Sequence, residues 1–169
     1  MNSDLVIREA RLGDEAGLIE LFRSLYKESD FLLMESGEFT LTIEIQAEIL
    51  KEIVTLDSKV LLVAEMDKVL VGFLGGTGGN VNRNRHSISI AMGVLKESQR
   101  NGIGLELLSS FECWAAQKQF HRLELTVIDA NINAKSLYKR AGFEEEGVKR
   151  HALKVNDRYV NELYMSKLI

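Results

Sequence analysis

The sequence predicts a single α/β domain built around a mixed sheet. Short apolar or alternating segments typical of strands interleave with segments whose apolar residues recur at helical spacing, and no linker-like stretch separates them. A chain of 169 residues is long enough for one domain with a substantial core and short for two. We therefore expect residues 1–169 to fold as one domain.

Seven segments are predicted to be strands because their apolar residues alternate or run together between turn residues. They are residues 5–10, 60–66, 69–74, 87–95, 121–128, 143–147 and 159–168. Asp67 and Lys68 leave room only for a tight turn between the second and third strands, which predicts an antiparallel hairpin. The glycine-rich residues 75–79 are predicted to be a flexible connection; a phosphate loop is the less favoured alternative, because no helix follows them.

Four segments carry apolar residues at the spacing of an amphipathic helix, namely residues 14–26, 42–56, 102–118 and 131–140. Asp14 and Asn131 are residue types that cap helix N-termini, and Gly142 is placed to end the fourth helix. One apolar face of the second helix is predicted to hold Ile45, Ile49, Leu50 and Ile53.

Charge and cysteine content argue against several classes of protein. The net charge of −4 is unfavourable for nucleic-acid binding, and no apolar run approaches the roughly 20 residues that span a bilayer. A single cysteine excludes an intramolecular disulfide and is typical of a reducing compartment. Histidine and cysteine side chains lack ligand-like spacing. We expect a cytoplasmic protein without a nucleic-acid partner, membrane association or bound metal.

The most informative segment is the loop at residues 99–104, which we call the donor loop. It joins a predicted strand to a strongly amphipathic helix, and Gly102 and Gly104 let the main chain approach a ligand closely. The helix N-terminus leaves N–H groups without intrahelical partners and carries about half a positive charge, which favours an anion such as a phosphate. A dinucleotide fingerprint would need a third glycine where Leu107 stands, and no P-loop Gly-Lys-Ser/Thr follows.

Two motifs together resemble the GNAT N-acetyltransferase superfamily. The donor loop, Gln-Arg-Asn-Gly-Ile-Gly, is similar to its Gln/Arg-x-x-Gly-x-Gly/Ala signature. A second motif follows one helix and one strand later, with Asn131, Ala134, the pair Leu137-Tyr138 and the pair Gly142-Phe143. The resemblance covers essentially the whole chain. It implies a mostly antiparallel sheet, splayed between the fourth and fifth strands, with about four flanking helices.

The resemblance implies acetyl-CoA as cosubstrate, with its diphosphate held by main-chain N–H groups of the donor loop. A bulge at the end of the fourth strand would hold the pantetheine arm and polarise the thioester carbonyl. The implied cofactor-binding residues are Met92, Gly93, Val94, Gln99, Arg100, Asn101, Gly102, Ile103, Gly104, Asn131, Ala134 and Tyr138.

Tyr138 is the implied general acid, which would protonate or hydrogen-bond the departing thiolate. Several members of the family carry a glutamate on the fourth strand that acts as the general base. Ile88 occupies the corresponding position here and cannot accept a proton. Candidate bases are His86, Glu28, Glu35 and Glu38. Alternatively, the substrate binds as the free amine and needs no dedicated base.

The expected function is acetyl transfer to a primary amine of a small molecule or a protein N-terminus by direct attack. Residues 26–39, the loop after Leu74 and the C-terminal strands would form the acceptor face. Two alternatives stay open: a transferase that uses another acyl-CoA, such as succinyl-CoA, and a CoA-binding regulatory module without catalysis. A homodimer is a further expectation of the resemblance.

Overall fold

The computed structural model describes residues 5–169, so the first four residues of the predicted domain lie outside it. Its elements are β1 (Leu5–Glu9), α1 (Glu15–Glu28), α2 (Ile43–Thr55), β2 (Lys59–Met66), β3 (Val69–Gly78), β4 (Ser87–Val94), α3 (Ile103–Gln117), β5 (Arg122–Ile128), α4 (Ile132–Arg140), β6 (Glu144–Val155) and β7 (Arg158–Leu168). A short 3-10 turn, Lys96–Ser98, follows β4.

The strands form one sheet in the order β1-β2-β3-β4-β5-β7-β6. Only β4 and β5 pair in parallel, and every other pair of neighbouring strands in the described chain is antiparallel. The predicted α/β class, with a mixed and mostly antiparallel sheet and four helices, is confirmed. The predicted hairpin also forms, because Asp67 and Lys68 adopt positive φ angles of 50° and 68°, as a two-residue hairpin turn requires.

The parallel pair is short and opens into a V-shaped slot. Pairing between β4 and β5 runs only from Ser87–Arg122 to Ser89–Glu124. Beyond this fork β4 continues against β3, while β5 continues against β7. Residues 90–94 of β4 and residues 125–128 of β5 therefore form the two walls of the slot, and each wall presents a strand edge without a sheet neighbour.

Helix α3 covers one face of the sheet over β1 to β4. Its buried residues Leu107 and Phe111 join a core that reaches Ile88 on β4 and Leu125 on β5. The glycine-rich residues 75–79, predicted to be a flexible connection, belong largely to β3. A Cβ at Gly76 would lie 2.7 Å from Phe111 Cε2, so glycine is present there because the ring packs directly on the strand.

Helices α1 and α2 pack on the opposite face, over β3 and β2. Their core contains Leu18, Leu21 and Leu25 of α1 and Leu50 of α2. The predicted single apolar face of α2 is wrong in part, because Ile45 and Ile49 are exposed while Leu50 and the polar Gln46 are buried. On β5, β7 and β6 the sheet carries a surface of mutually bonded polar side chains, which we call the polar face; it includes Glu124, Thr126, Glu146, Glu162 and Ser166.

Candidate active site

The donor loop follows the short 3-10 turn after β4, and two of its residues have left-handed backbone conformations. Arg100 has φ 64° and Gly102, the N-cap of α3, has φ 82°. Only glycine adopts the second conformation at little energetic cost, and a Cβ built on Gly102 meets nothing within 4 Å. The space beside Gly102 is therefore open to a ligand.

Residues 100–104 present five consecutive main-chain N–H groups, and none of them donates to an acceptor among the described residues. They surround the N-terminus of α3, a 15-residue helix whose N-cap provides no side-chain hydrogen bond. Unpaired N–H groups and the helix dipole both favour negative charge at this point. The geometry is suited to an anion, and binding of the coenzyme A diphosphate at this point stays a prediction.

Unlike its main-chain N–H groups, two side chains of the donor loop already have hydrogen-bond partners in the protein. Gln99 Nε2 donates to the carbonyl of Val94 at 2.9 Å, and Asn101 Nδ2 donates to the carbonyl of Ser98 at 3.4 Å. Arg100 is exposed. Ile103 is only 2% exposed and belongs to the core, so it can meet a ligand only through its N–H group.

Gly104 packs closely against α4 and the end of β4. A Cβ at this position would lie 2.8 Å from Cδ2 of Leu137 and 3.5 Å from Cε of Met92. The first turn of α3 thus rests against α4 and the end of β4. This contact connects the donor loop to the helix that carries Tyr138.

The β4 wall is a regular strand. Its register with β3 runs without a shift from Ile88–Gly78 to Val94–Gly72, so the bulge predicted at Met92, Gly93 and Val94 is not found in the described strand. Gly93 is explained by packing, because its Cβ would lie 3.1 Å from Phe73 Cε1 and 3.2 Å from Leu25 Cδ1. The slot begins where the pairing of β4 with β5 ends, after Ser89 and Glu124.

Helix α4 brings the second motif to the slot. Asn131 Oδ1 accepts a hydrogen bond from the N–H of Ala134 at 3.1 Å, so its carbonyl oxygen serves as the predicted N-cap. Tyr138 is 7% exposed and its ring lies 5.8 Å from that of Phe143. Burial raises the pKa of Tyr138 to about 12, so the phenol stays neutral across the physiological pH range.

The Tyr138 hydroxyl is available to a ligand. In residues 5–169, Ser87 Oγ is the one fully buried side-chain oxygen or nitrogen that lacks a hydrogen-bond partner. The Tyr138 oxygen also lacks a partner in this range, so it cannot be fully buried and part of its surface is accessible. A neutral donor without a protein acceptor is suited to a developing negative charge.

None of the four predicted bases belongs to the strand segments that form the two slot walls. His86 is exposed and precedes β4, so it lies at the closed end of the fork, and its carbonyl accepts the N–H groups of His121 and Arg122. Glu28 accepts the N–H of Lys96 at 2.6 Å, which commits one carboxylate oxygen to the β4 exit. Glu35 and Glu38 are exposed in the loop between α1 and α2, where they contact each other.

An aromatic cluster borders the slot on the side opposite α3. Phe22 lies 4.8 Å from Phe73 and 5.6 Å from Phe39, and Tyr26 lies 5.5 Å from Phe39, measured between ring centroids. Phe73 pairs with Gly93 across β3 and β4. Burial raises the pKa of Tyr26. Phe22 thus connects both ends of the predicted acceptor segment, residues 26–39, to Phe73, the β3 neighbour of the β4 wall.

Two further polar residues border the slot and were not singled out in the sequence. Thr126 lies on the β5 wall, and its hydroxyl donates to Glu162 Oε1 of β7 at 3.0 Å. Glu162 is only 9% exposed. No sequence signal singles out Glu162, because its strand also carries Asn161, Ser166 and Lys167, and none of these residues reveals Thr126 as its partner.

Within residues 5–169, no group of three or more His, Cys, Asp or Glu side chains is placed to hold a metal ion. No helix of this range combines the length and apolar character that a membrane span requires.

A sheet that forks between two parallel strands, with a glycine loop and helix N-terminus at the exit of one of them, defines a class of acyl-CoA-dependent transferases. The family model described as acetyltransferase (GNAT) family matches residues 20–143, which is more than half of the chain. The chain therefore belongs to the GNAT acetyltransferase family, and it is an N-acetyltransferase that uses acetyl-CoA.

Individual relatives agree with this assignment. The chain is 28% identical over 145 residues to the uncharacterized N-acetyltransferase YhfO of Bacillus subtilis (strain 168), covering 83% of this chain and 90% of the relative. A GNAT-family acetyltransferase from Streptococcus pneumoniae matches with TM-score 0.94 and 29% identity over 98% of this chain and 99% of its own. The putative acetyltransferase yncA of Salmonella typhimurium, solved with acetyl-CoA, has the same fold, with TM-score 0.86 and 18% identity over 98% and 94%.

Proposed function

We propose that the protein transfers the acetyl group of acetyl-CoA to a primary amine of a small molecule or a protein N-terminus, by direct attack and without an acyl-enzyme. The observation that carries this proposal is the fork after Ser89 and Glu124, which opens a slot between the donor loop and the polar face. A slot open on two sides lets the thioester and the amine meet, and such positioning is worth about 7–11 kcal/mol in effective molarity.

On the donor side, the N–H groups of residues 100–104 would hold the diphosphate. Residues 92–94 of β4 present a strand edge to the slot, where a main-chain N–H can hydrogen-bond the pantetheine arm or the thioester carbonyl. One such donor to a developing oxyanion is typically worth about 3 kcal/mol. Asn131 Oδ1 caps α4, and the side-chain NH₂ group of Asn131 would hydrogen-bond the pantetheine arm.

Tyr138 would stabilise the departing thiolate as a hydrogen-bond donor. Complete proton transfer from a phenol with a pKa of about 12 to a thiolate with a pKa of about 8.5 is uphill by roughly 5 kcal/mol. Donation of a hydrogen bond needs no such transfer and remains available at every pH below the pKa of the phenol. The thiolate would then take its proton from solvent.

The proposal is tested by the release of free thiol from acetyl-CoA in the presence of a panel of amines: spermidine, kanamycin, free amino acids and a peptide with a free N-terminus. Thiol release that depends on one class of amine, with the acetylated amine detected by mass spectrometry, is the expected result. Tight binding of acetyl-CoA without turnover across the panel would instead identify a regulatory CoA-binding module. A parallel series with succinyl-CoA tests the other acyl donor.

A further inference from the structure

We propose that Thr126 and Glu162 form the proton-accepting pair for the acceptor amine, with Thr126 in contact with the amine and Glu162 receiving the proton through it. This inference rests on the proposed function. An alkylammonium has a pKa of about 10.4 and must lose a proton before nitrogen can attack a thioester. None of the bases predicted from the sequence lies on a wall of the slot.

Thr126 is placed where the amine would arrive. It lies two residues beyond Glu124, the last β5 residue that pairs with β4, and therefore belongs to the open wall of the slot. Its neighbours Leu125 and Val127 face the core under α3, so the alternation of the strand directs Thr126 to the polar face. Thr126 is exposed there, and Ala91 occupies the corresponding level of the β4 wall.

Glu162 is buried behind this threonine. Its Oε1 accepts the Thr126 hydroxyl at 3.0 Å, and its Oε2 accepts Lys149 Nζ of β6 at 3.2 Å. Ile128 of β5 pairs with Glu162 from one side, and Tyr164 is its neighbour two residues along β7. Lys149 is thus the one charged side chain that contacts Glu162 in the described part of the chain, and its contact leaves Oε1 to the Thr126 hydroxyl.

The hydroxyl of Thr126 gives its proton toward Glu162, so its oxygen lone pairs are available to an N–H donor from the ligand. When an ammonium N–H bond breaks, its proton forms a new O–H bond at Thr126, and the original hydroxyl proton moves to Glu162 Oε1. The nitrogen keeps the electron pair and attacks the thioester carbon. The C–S bond then breaks, sulfur leaves with its electrons, and the second proton lost by nitrogen balances the proton that the thiolate takes up from solvent.

A second hydroxyl–carboxylate pair lies at the fork, where Ser89 Oγ donates to Glu124 Oε1 at 3.2 Å. In both pairs a cation bonds the second carboxylate oxygen, Arg122 Nε on Glu124 at 2.8 Å and Lys149 Nζ on Glu162 at 3.2 Å. The pairs differ in position, because Ser89 and Glu124 belong to the last closed pair of β4 and β5 rather than to a slot wall. We therefore assign the proton to Thr126 and Glu162, and the pair at the fork is the competing assignment in the experiment.

The experiment compares the purified wild-type protein with Thr126→Val, Thr126→Ser, Glu162→Gln and Glu124→Gln, using the fastest amine of the panel above. Thr126→Val and Glu162→Gln are expected to lower kcat at pH 7.5 by about 100-fold, the scale of a general base. Acetyl-CoA affinity, measured by calorimetry, should stay within twofold. Thr126→Ser restores the hydroxyl and should retain at least a third of the wild-type kcat.

A pH series separates proton transfer from a structural role. As the pH approaches the pKa of the amine used, about 10.4 for an alkylamine and about 8 for a peptide N-terminus, the free amine becomes abundant and the deficit of Thr126→Val should shrink below tenfold. Ser166→Ala is the matched control, because Ser166 also lies on the polar face and donates to a carboxylate, Glu146 Oε1, at 2.7 Å. It removes a similar hydrogen bond outside the slot and should leave kcat unchanged.

Wild-type kcat in both Thr126→Val and Glu162→Gln, or a deficit that stays constant with pH, would overturn the inference. A 100-fold loss in Glu124→Gln together with an active Thr126→Val would move the base to the fork and overturn it as well. These results differ from failure of the proposed function, in which the wild-type protein itself transfers acetyl to no amine of the panel.

Discussion

The donor side and the acceptor side of the slot are built in different ways. On the donor side the proposed contacts are main-chain N–H groups of one short segment, residues 100–104, held by the N-terminus of α3. On the acceptor side they are side chains that arrive from separate elements, such as Phe22 of α1, Thr126 of β5 and Glu162 of β7. A main-chain site depends on local conformation, whereas a side-chain site depends on how distant strands are paired. Donor-side substitutions should therefore weaken acetyl-CoA binding, and substitutions near the reacting atoms should lower turnover.

The largest effect is expected from Gly102→Val. A β-branched residue is strained at φ 82°, and its side chain would occupy the open space beside the unpaired N–H groups. Acetyl-CoA affinity, measured by calorimetry, should fall more than 100-fold. Gly147→Val is the control, since Gly147 also has open space around it but lies on β6 without a positive φ. Equal affinities in both variants would contradict the assignment of the donor loop.

Tyr138→Phe should lower kcat by about tenfold or more and leave acetyl-CoA affinity within twofold. The phenyl ring preserves the contact with Phe143, while the hydrogen bond to the departing thiolate is lost. Stopped-flow or steady-state thiol release measures kcat, and calorimetry measures affinity. Tyr159→Phe is the control because Tyr159 is 66% exposed on the hairpin between β6 and β7. A Tyr138→Phe enzyme with wild-type kcat would show that the phenol is not the donor to sulfur.

Gln99→Ala tests how firmly the donor loop is fixed to the β4 wall. The substitution removes the hydrogen bond from Gln99 Nε2 to the Val94 carbonyl, and one such bond contributes about 1 kcal/mol. Acetyl-CoA affinity should fall about fivefold, with kcat at saturation changed by less than twofold. Arg100→Ala is a useful companion, because an exposed cation near the diphosphate should show salt-dependent affinity whereas Gln99 should not. A large loss of kcat in Gln99→Ala would break the division between the two sides.

The smallest effect is expected at the margin of the polar face. Hydrogen bonds from Arg122 and Ser166 hold the pKa of Glu146 at about 2, below its ordinary value near 4.5. Because the pKa of Glu146 is lower in the folded than in the unfolded state, its ionised carboxylate stabilises the folded state above the unfolded-state pKa of about 4.5. This stabilisation is lost as the pH falls through the folded-state pKa of about 2. Glu146→Gln should therefore lower the Tm by about 1–2 °C at pH 7, and the difference should disappear at pH 2. Glu144→Gln, on the same strand, is the control, and a pH-independent difference for Glu146→Gln would contradict the ion pair.

Local patterns of the sequence predicted most of the strands and the helix starts. Asp67 and Lys68 marked the turn between β2 and β3, and Asn131 marked the start of α4. The prediction was wrong where a residue's neighbours come from elsewhere in the chain. Gly76 was assigned to a flexible connection, yet it lies in β3 because Phe111 of α3 occupies the space of a side chain. Strand β6 is longer than predicted because residues 148–155 are mostly exposed and lack a clear alternation.

The sequence by itself determined the family, the cosubstrate and the position of the donor loop at the start of α3, because glycine spacing and helix-start residues act over a few neighbouring positions. Only the tertiary structure decided that β4 and β5 part after one short parallel stretch, that His86 lies at the closed end, and that Glu162 lies behind Thr126. The physical reason is the distance along the chain over which each feature is determined. Backbone conformation is set by local sterics, but a pair such as Thr126 and Glu162 exists only once β5 and β7 are in register across the sheet.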